Sequence, residues 1–295
     1  MTRAGVIGLG DMGSGLAKHL IGNGFETTGL DLSKERMAAF VEMGGKAAAS
    51  AAEVGENSDA VYVMVMNGGQ AKGVILGDGL IKTMKPGSVV ILTATIMATE
   101  AREIAEGLKG SGIEMIDSPV SGGFPGAQTG TLTMMAAGPA AVLETYKPVM
   151  EAVSKVIHIV GDEVGQGQTV KACLQSLIGS IFSATCEAAA LAAKAGVSGQ
   201  VLHNVFSTSG AGCGVANGAL ENIIDRKFVG TGSHIATMHK DLTIVMDMAR
   251  ELGVPLFTAA TAMQLFQSAK TKHPEGDNWI IAKVMEDIVG AELHR

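Results

Sequence analysis

The stretch 8-GLGDMG-13 decides how the first half of this chain folds. It ends the apolar run Ala4–Gly8, which predicts a buried β-strand, and it precedes Ser14–Gly22, where apolar residues recur at helical spacing. A glycine-rich turn between a strand and a helix is the arrangement that binds the pyrophosphate of a dinucleotide. We therefore expect a dinucleotide-binding domain at the start of the chain.

Each glycine of this turn has a physical task. Gly8 permits the tight turn, Gly10 lets the backbone approach a pyrophosphate, and Gly13 lets the helix pack closely on the strand. The start of the helix offers N–H groups and the positive end of its dipole to the phosphates. The expected cofactor-binding residues of the turn are Gly8, Leu9, Gly10, Asp11, Met12 and Gly13.

Asp31 stands at the end of the next predicted strand, Phe25–Leu30, 23 positions after the first glycine. An acid at this place accepts hydrogen bonds from the ribose hydroxyls of the adenosine and repels a 2′-phosphate. We therefore expect NAD in preference to NADP, although Arg36 lies nearby in sequence. The alternative role for Asp31 is to cap the helix predicted over Lys34–Met43.

The alternation of strands and helices continues through the first half of the chain. Further strands are predicted at Ala60–Met66, Ser88–Leu92 and Ile113–Ile116. This order predicts a Rossmann-type, doubly wound parallel sheet whose ligands bind at the carboxyl ends of the strands. We expect this NAD-binding domain to occupy residues 1–163, and an all-α domain for substrate binding and oligomerisation to occupy residues 164–295.

The run Gly165–Gly196 contains no proline and a single internal glycine, so it predicts one long helix joining the two domains. Lys171 lies near its beginning, with Gln175 one turn further along the same face. A lysine near a helix end is usually solvated, so spacing alone does not make Lys171 catalytic. The predicted buried stripe comprises Val170, Leu174, Leu177, Ile178, Ile181 and Phe182.

Composition excludes several classes of function. The net charge is −7 and no run of basic residues occurs, which argues against a nucleic-acid partner. The three cysteines form no CxxC pair and no other set has metal-ligand spacing, so we expect no metal and a reducing, cytoplasmic location. We expect no membrane span or signal peptide, and a homodimer or homotetramer that buries the apolar faces of the second domain.

The loop Asp117–Ala127 follows the strand predicted at Ile113–Ile116. Gly122 and Gly123 follow Ser121, and two adjacent glycines can present bare N–H groups in a concave nest that suits a carboxylate. An ordinary glycine- and proline-rich turn is the alternative interpretation.

Four motifs occur in the order typical of the β-hydroxyacid dehydrogenase family. They are Gly8–Leu20 (GLGDMGSGLAKHL), Asp117–Ala127 (DSPVSGGFPGA), Gly165–Gln175 (GQGQTVKACLQ) and Lys240–Leu242 (KDL). The chain therefore resembles this family over essentially its whole length. The resemblance implies an NAD-dependent 3-hydroxyacid dehydrogenase or reductase. Such an enzyme transfers a hydride between the C3 hydroxyl of a short hydroxy acid and NAD, with a lysine as general acid and base.

The resemblance also implies roles for particular residues. Lys171 falls on the catalytic lysine of the family, which needs partial desolvation or a cationic neighbour because a free lysine has a pKa of about 10.4. Ser121, Gly122 and Gly123 fall on the loop that holds the substrate carboxylate. The remaining implied cofactor contacts are Met64, Val65, Thr95 and Lys240.

Gln175 is the most informative departure from the family pattern, which usually has Asn at this position. It resembles the L-threonate dehydrogenase branch, and its longer amide should hydrogen-bond a substrate that is placed differently. We therefore expect a threonate-like acid ahead of tartronate semialdehyde or 3-hydroxyisobutyrate. The alternatives outside this activity are an imine reductase and a cofactor-binding module without catalysis, and the lysine at position 171 argues against both.

Overall fold

A computed structural model of the chain describes residues 2–77 and 79–295. The chain forms two compact units, Met1–Lys171 and Ala172–Arg295. The division falls inside the long helix, whereas the sequence suggested a boundary before it. The strands of the first unit are β1 (Ala4–Ile7), β2 (Thr27–Leu30), β3 (Lys46–Ala47), β4 (Ala60–Val63), β5 (Val89–Leu92), β6 (Glu114–Asp117), β7 (Val120–Ser121), β8 (Leu132–Ala137) and β9 (Ser154–Gly161).

Helices follow most of these strands. In the first unit they are α1 (Asp11–Gly22), α2 (Lys34–Glu42), α3 (Ala51–Glu56), α4 (Gly68–Leu76), α5 (Ala98–Leu108), α6 (Gly123–Thr129) and α7 (Ala140–Glu151), with a 3₁₀ turn at Leu80–Lys82. Helix α8 (Gln166–Lys194) begins in the first unit and continues into the second. The second unit adds α9 (Gly199–Thr208), α10 (Gly214–Ile224), α11 (Ile235–Leu252), α12 (Phe257–Lys272) and α13 (Ile281–Val289), with a 3₁₀ turn at Asn278–Ile280.

The strands form one sheet in the order β3-β2-β1-β4-β5-β6-β8-β7, and β9 pairs with β8. The pairs from β3 to β6 are all parallel, which confirms the predicted Rossmann-type doubly wound sheet. Strand β8 runs antiparallel to β6 and β7, an arrangement that the alternation of strands and helices did not indicate. The second unit is helical, as predicted.

Side chains alternate between the two faces of the sheet because successive strand residues point in opposite directions. On one face, Val6 lies opposite Tyr62, and Tyr62 lies opposite Ile91. These side chains pack in the core cluster that includes α1 and α7, while their neighbours Ile7, Val63 and Leu92 pack in the cluster on the other face. The buried phenol of Tyr62 donates a hydrogen bond to the carbonyl of Val149 at 2.9 Å.

The structure shows why positions 8 and 13 of the glycine turn carry no side chain. Gly8 has φ +91°, in the left-handed region that favours glycine. A methyl group added at Gly13 would overlap the carbonyl oxygen of Gly8. The first turn of α1 therefore contacts the end of β1 directly, as the GxGxxG pattern predicted.

We expect Gly13→Ala to lower the melting temperature and to weaken NAD binding, because the new methyl must push α1 away from β1. Gly22→Ala is the matched control, since it lies in the same helix and an added methyl there meets no atom within 4 Å. That variant should be neutral or more stable by up to about 1 kcal/mol. Thermal unfolding of the two proteins checks this, and equal melting temperatures would contradict the close approach.

The predicted buried stripe of α8 is only partly confirmed: Phe182 is buried and Ile178 packs against the core of the second unit, but other members are exposed. Val170 is 37% exposed and Leu177 is 59% exposed, whereas Gln175 is 7% exposed. The reason is the approach of α11, whose Leu242 would lie 2.8 Å from a methyl group added at Gly179. The buried face of α8 in the second unit is therefore centred on this glycine and continues through Phe182, Ser183 and Cys186.

Helix α8 bears on the expectation that the chain has no membrane span. By length and composition, α8 could cross a membrane. A core helix of a water-soluble protein meets the same criteria, so the finding is weak evidence for a span. Phe182, Cys186 and Ala189 of α8 pack in the core of the second unit, which accounts for much of its apolar character.

Candidate active site

The carboxylate of Asp31 is joined directly to the glycine turn. Its Oδ2 accepts a hydrogen bond from the N–H of Leu9 at 2.7 Å, and its Oδ1 accepts one from the N–H of Ser33 at 2.8 Å. The hydroxyl of Ser33 caps α2 by accepting from the N–H of Arg36. The alternative role of Asp31 as the cap of α2 is therefore wrong. The guanidinium of Arg36 lies 3.7 Å from Asp31 and is about half exposed.

The turn and its surroundings fit the adenosine diphosphate half of NAD. Helix α1 begins after Gly10, which has no side chain to cap it. No side-chain cap at this position therefore occupies the N–H groups of the first turn that would bind a phosphate. An open cleft of about 200 Å³ adjoins the turn. Its lining residues are Leu9, Gly10, Asp11, Ser14, Arg36, Ala39, Phe40 and Met43.

Two further predicted cofactor loops lie at the same edge of the sheet. The N–H of Met64 donates to the carbonyl of Ile7, which precedes the glycine turn. The N–H groups of Thr93 and Ala94 both donate to the carbonyl of Val63, at 3.1 and 3.0 Å. The structure therefore brings Met64 and Val65 beside Gly8 of the glycine turn, and it places the loop of Thr95 next to the end of β4.

The predicted carboxylate loop is more ordered than a simple turn. Val120 and Ser121 form β7 against β8, and α6 begins at Gly123. Gly122 and Gly123 are exposed and have φ +130° and +58°. Their backbone N–H groups are therefore accessible at the start of a short helix, next to Ser121.

Asp117, by contrast, is not a loop residue. It ends β6 and is completely buried. Its Oδ2 accepts from the N–H groups of Gly165 and Gln168, at 2.8 and 3.1 Å, and its Oδ1 accepts from Nε2 of Gln168 at 2.8 Å. Burial raises the pKa of Asp117, and the N–H groups that face it act in the opposite direction.

Gln168 links this carboxylate to the loop that carries Thr95. Its Nε2 also donates to the carbonyl of Ala94 at 3.0 Å, and its Oε1 accepts from the N–H of Ile96 at 3.0 Å. The side chain is 2% exposed, so no water competes for these bonds. Lys171 stands three residues further along α8, and its side chain is 7% exposed. The network thus fixes the turn before Lys171 relative to the loop of Thr95.

Sequence reasoning missed both Asp117 and Gln168. A signal was available in the sequence, because an acid at the end of an apolar strand must find hydrogen-bond donors when it is buried. Its partners could not be identified from the sequence, since Gln168 lies 51 residues away.

In the second unit, Gln175, Asp241 and Lys240 form a chain of polar contacts. Nε2 of Gln175 donates to Oδ2 of Asp241 at 2.6 Å, and Nζ of Lys240 lies 2.9 Å from Oδ1 of the same carboxylate. Gln175 and Asp241 are 7% and 4% exposed. Asp241 was not predicted as a site residue, although it belongs to the KDL motif.

Known proteins are similar to this chain over nearly its whole length. Residues 3–161 match a family model described as the NAD binding domain of 6-phosphogluconate dehydrogenase. Residues 165–285 match one described as NAD-binding of NADP-dependent 3-hydroxyisobutyrate dehydrogenase. The L-threonate dehydrogenase of Escherichia coli (strain K12) is 36% identical over 287 residues, which covers 96% of this chain and 95% of that protein. The chain belongs to the β-hydroxyacid dehydrogenase family.

Other members of the β-hydroxyacid dehydrogenase family are similar over nearly as much of the chain. A probable mitochondrial 3-hydroxyisobutyrate dehydrogenase of Dictyostelium discoideum is 36% identical, covering 89% of this chain and 84% of that protein. A crystal structure of 3-hydroxyisobutyrate dehydrogenase from Salmonella typhimurium has a TM-score of 0.88 and 35% identity, covering 96% of this chain and all of that one. The protein is an NAD-dependent hydroxyacid dehydrogenase, an oxidoreductase that acts on CH–OH groups.

Proposed function

We propose that this dehydrogenase oxidises a threonate-like hydroxy acid, with Lys171 as the general acid and base. The observation that carries the proposal is the buried network of Gln168, which joins the turn before Lys171 to the loop of Thr95. A base must be held rigidly relative to the cofactor for proton and hydride transfer to occur together. Sequence similarity to L-threonate dehydrogenases supports the choice of substrate.

Each proposed residue has a defined task. Bound NAD supplies the acceptor for the hydride, and its phosphates and ribose are held by the glycine turn and Asp31. Ser121, Gly122 and Gly123 bind the substrate carboxylate through a hydroxyl and backbone N–H groups. Lys171 takes the proton of the substrate hydroxyl as the alcohol is oxidised, and Gln175 hydrogen-bonds the substrate one helical turn away.

The burial of Lys171 supports its role. Its side chain is 7% exposed, and a lysine base requires such desolvation because water stabilises the charged ammonium. In the direction of reduction the ammonium form is itself a competent acid. Lys240 is proposed to contact the cofactor, as the resemblance implies, and its ion pair with Asp241 holds it beside the partner of Gln175.

A substrate panel tests the proposed function. Purified protein is supplied with L-threonate, D-glycerate, 3-hydroxyisobutyrate or 3-hydroxypropionate, with NAD and with NADP in separate assays, and NADH or NADPH formation is followed by absorbance. We expect the highest kcat/KM with L-threonate and NAD, because the proposed role of Asp31 is to bind the ribose hydroxyls, where its carboxylate would repel a 2′-phosphate. A higher kcat/KM with 3-hydroxyisobutyrate, or with NADP, would contradict the corresponding part of the proposal.

A homodimer or homotetramer stays a prediction, as does the cytoplasmic location. Exposed apolar side chains on the helices of the second unit support assembly: Leu177 is 59% exposed, Leu191 73% and Phe257 82%. Along α8 the apolar residues Val170, Leu174, Leu177, Ile181, Ala184, Ala188 and Leu191 alternate at spacings of four and three, the spacing of helices that pack against one another.

A further inference from the structure

The contact between Gln175 and Asp241 determines which end of the Gln175 amide is occupied. A carboxylate only accepts hydrogen bonds, so the amide group that lies 2.6 Å from Oδ2 of Asp241 is the NH₂ group. The same nitrogen also lies 3.5 Å from the sulfur of Met238. The carboxylate of Asp241, a strong acceptor, and the sulfur of Met238, a weak one, therefore both lie next to the nitrogen of the Gln175 amide.

The orientation of the amide is held firmly. Asp241 is 4% exposed, and an amide donor to a buried carboxyl group contributes more than the same donor in water. Turning the amide by half a rotation would place Oε1 against the carboxylate and would leave two acceptors in contact. Nζ of Lys240, 2.9 Å from Oδ1, restrains the other oxygen of the carboxylate. The carbonyl oxygen of Gln175 is consequently the end available to a ligand.

We propose that Asp241 is a specificity-determining positioning residue, which turns Gln175 so that its carbonyl oxygen accepts a hydrogen bond from a second hydroxyl of the substrate. The inference rests on the proposed role of Lys171. Lys171 receives the proton of the reacting hydroxyl, and Gln175 stands about 6 Å further along the same helix face. The preferred substrate class is thus short acids with at least two hydroxyl groups.

Acids with hydrogen or methyl in place of the second hydroxyl leave the Gln175 oxygen without a donor. An acceptor that is buried and unpaired in the complex costs binding free energy, which is the physical basis of discrimination. D-Glycerate and 3-hydroxypropionate form the matched pair of probes, because they differ only by the hydroxyl on C2. The unchanged protein should bind D-glycerate about tenfold more tightly, corresponding to one oriented hydrogen bond.

The test is calorimetric titration of the NADH-bound protein with each of the two acids, which does not depend on turnover. Asp241→Asn should reduce the tenfold preference for D-glycerate to near unity, because an asparagine can accept or donate and no longer fixes the Gln175 amide. Met238→Leu is the control, since it removes the sulfur beside Gln175 and keeps the carboxylate. It should retain the full preference.

A double-mutant cycle distinguishes an effect of Asp241 on the orientation of the Gln175 amide from a general effect of Asp241 on the structure. Gln175→Met should abolish the preference by itself, and adding Asp241→Asn to it should change the preference no further if Asp241 acts through Gln175. If Asp241→Asn does not fold, equal binding of the two acids by Gln175→Met supports the inference, and an unchanged preference in Gln175→Met overturns it.

Equal binding of the two acids by the unchanged protein would overturn the inference, as would an unchanged preference in Asp241→Asn. Failure of the proposed function is seen separately, as loss of threonate turnover in the substrate panel or as full activity of a Lys171 variant. A shift of the binding preference would support the role of Asp241 even if another acid proved to be the better substrate.

Discussion

Lys171→Ala is expected to lower kcat by about 10²- to 10⁴-fold, the usual contribution of a general acid–base group. The substitution removes the amine that receives the substrate proton and leaves the glycine turn and Asp31 intact. The dissociation constant for NADH should therefore stay within a few-fold of the original value. Steady-state kinetics with L-threonate and fluorescence titration with NADH measure the two quantities on the same preparation.

Lys194→Ala is the matched control for this experiment. Lys194 lies at the other end of α8, is exposed, and donates a hydrogen bond to the carbonyl of Val289. It should keep the original kcat. Full activity of Lys171→Ala would refute its catalytic role, and a parallel loss of NADH binding would point to a structural role instead.

Gln168→Glu is expected to cause the largest loss of stability, and the loss should depend on pH. The substitution replaces the Nε2 donor with an oxygen that faces the carboxylate of Asp117 and the carbonyl of Ala94. Two buried carboxyl groups in contact raise each other's pKa, because each negative charge disfavours the other. This effect adds to the rise that burial already causes in the pKa of Asp117. An uncompensated charge at such a site costs about 3–5 kcal/mol.

The pH dependence has a definite sign. A carboxyl group whose pKa is raised in the folded state binds its proton more tightly when folded, so protonation favours folding. The stability deficit of Gln168→Glu should therefore be largest at alkaline pH and should shrink as the pH falls through the raised pKa values of the pair. Melting temperatures of the variant and the original protein, compared across the pH range, measure this difference.

Two further variants make the result specific to this contact. Gln166→Glu changes the same residue type in the same helical turn. Oε1 of Gln166 accepts a hydrogen bond from the N–H of the exposed residue Glu163, and a glutamate oxygen can accept the same bond, so this substitution should have little effect. Asp117→Asn combined with Gln168→Glu restores one amide and one carboxyl group and should recover part of the stability. A deficit that does not vary with pH would contradict the proposed repulsion.

Much of the first unit could be predicted because its signals are local. The glycine turn, Asp31 and the apolar strands are each recognisable within about ten residues, and their order along the chain determines a parallel sheet. The end of β6 was placed one residue early, which left Asp117 in a loop instead of a strand. β3 and α3 were missed because they are only two and six residues long.

The buried face of α8 could not be predicted from its apolar residues. Periodicity identifies the most apolar stripe of a helix, but burial depends on which neighbour approaches and how closely. The approach of Leu242 to Gly179 selects a face that carries small and polar side chains together with Phe182, and the face with Leu177 and Leu191 stays exposed.

The sequence by itself determined the class of fold, the dinucleotide turn and the family, because these follow from local spacing and from motifs that lie within single segments. Only the tertiary structure decided the partners of the polar residues. Asp117 and Gln168 are 51 residues apart, and Gln175 and Asp241 are 66 apart. A buried polar group must be satisfied by whatever the fold brings next to it, and that neighbour is set by the packing of distant segments.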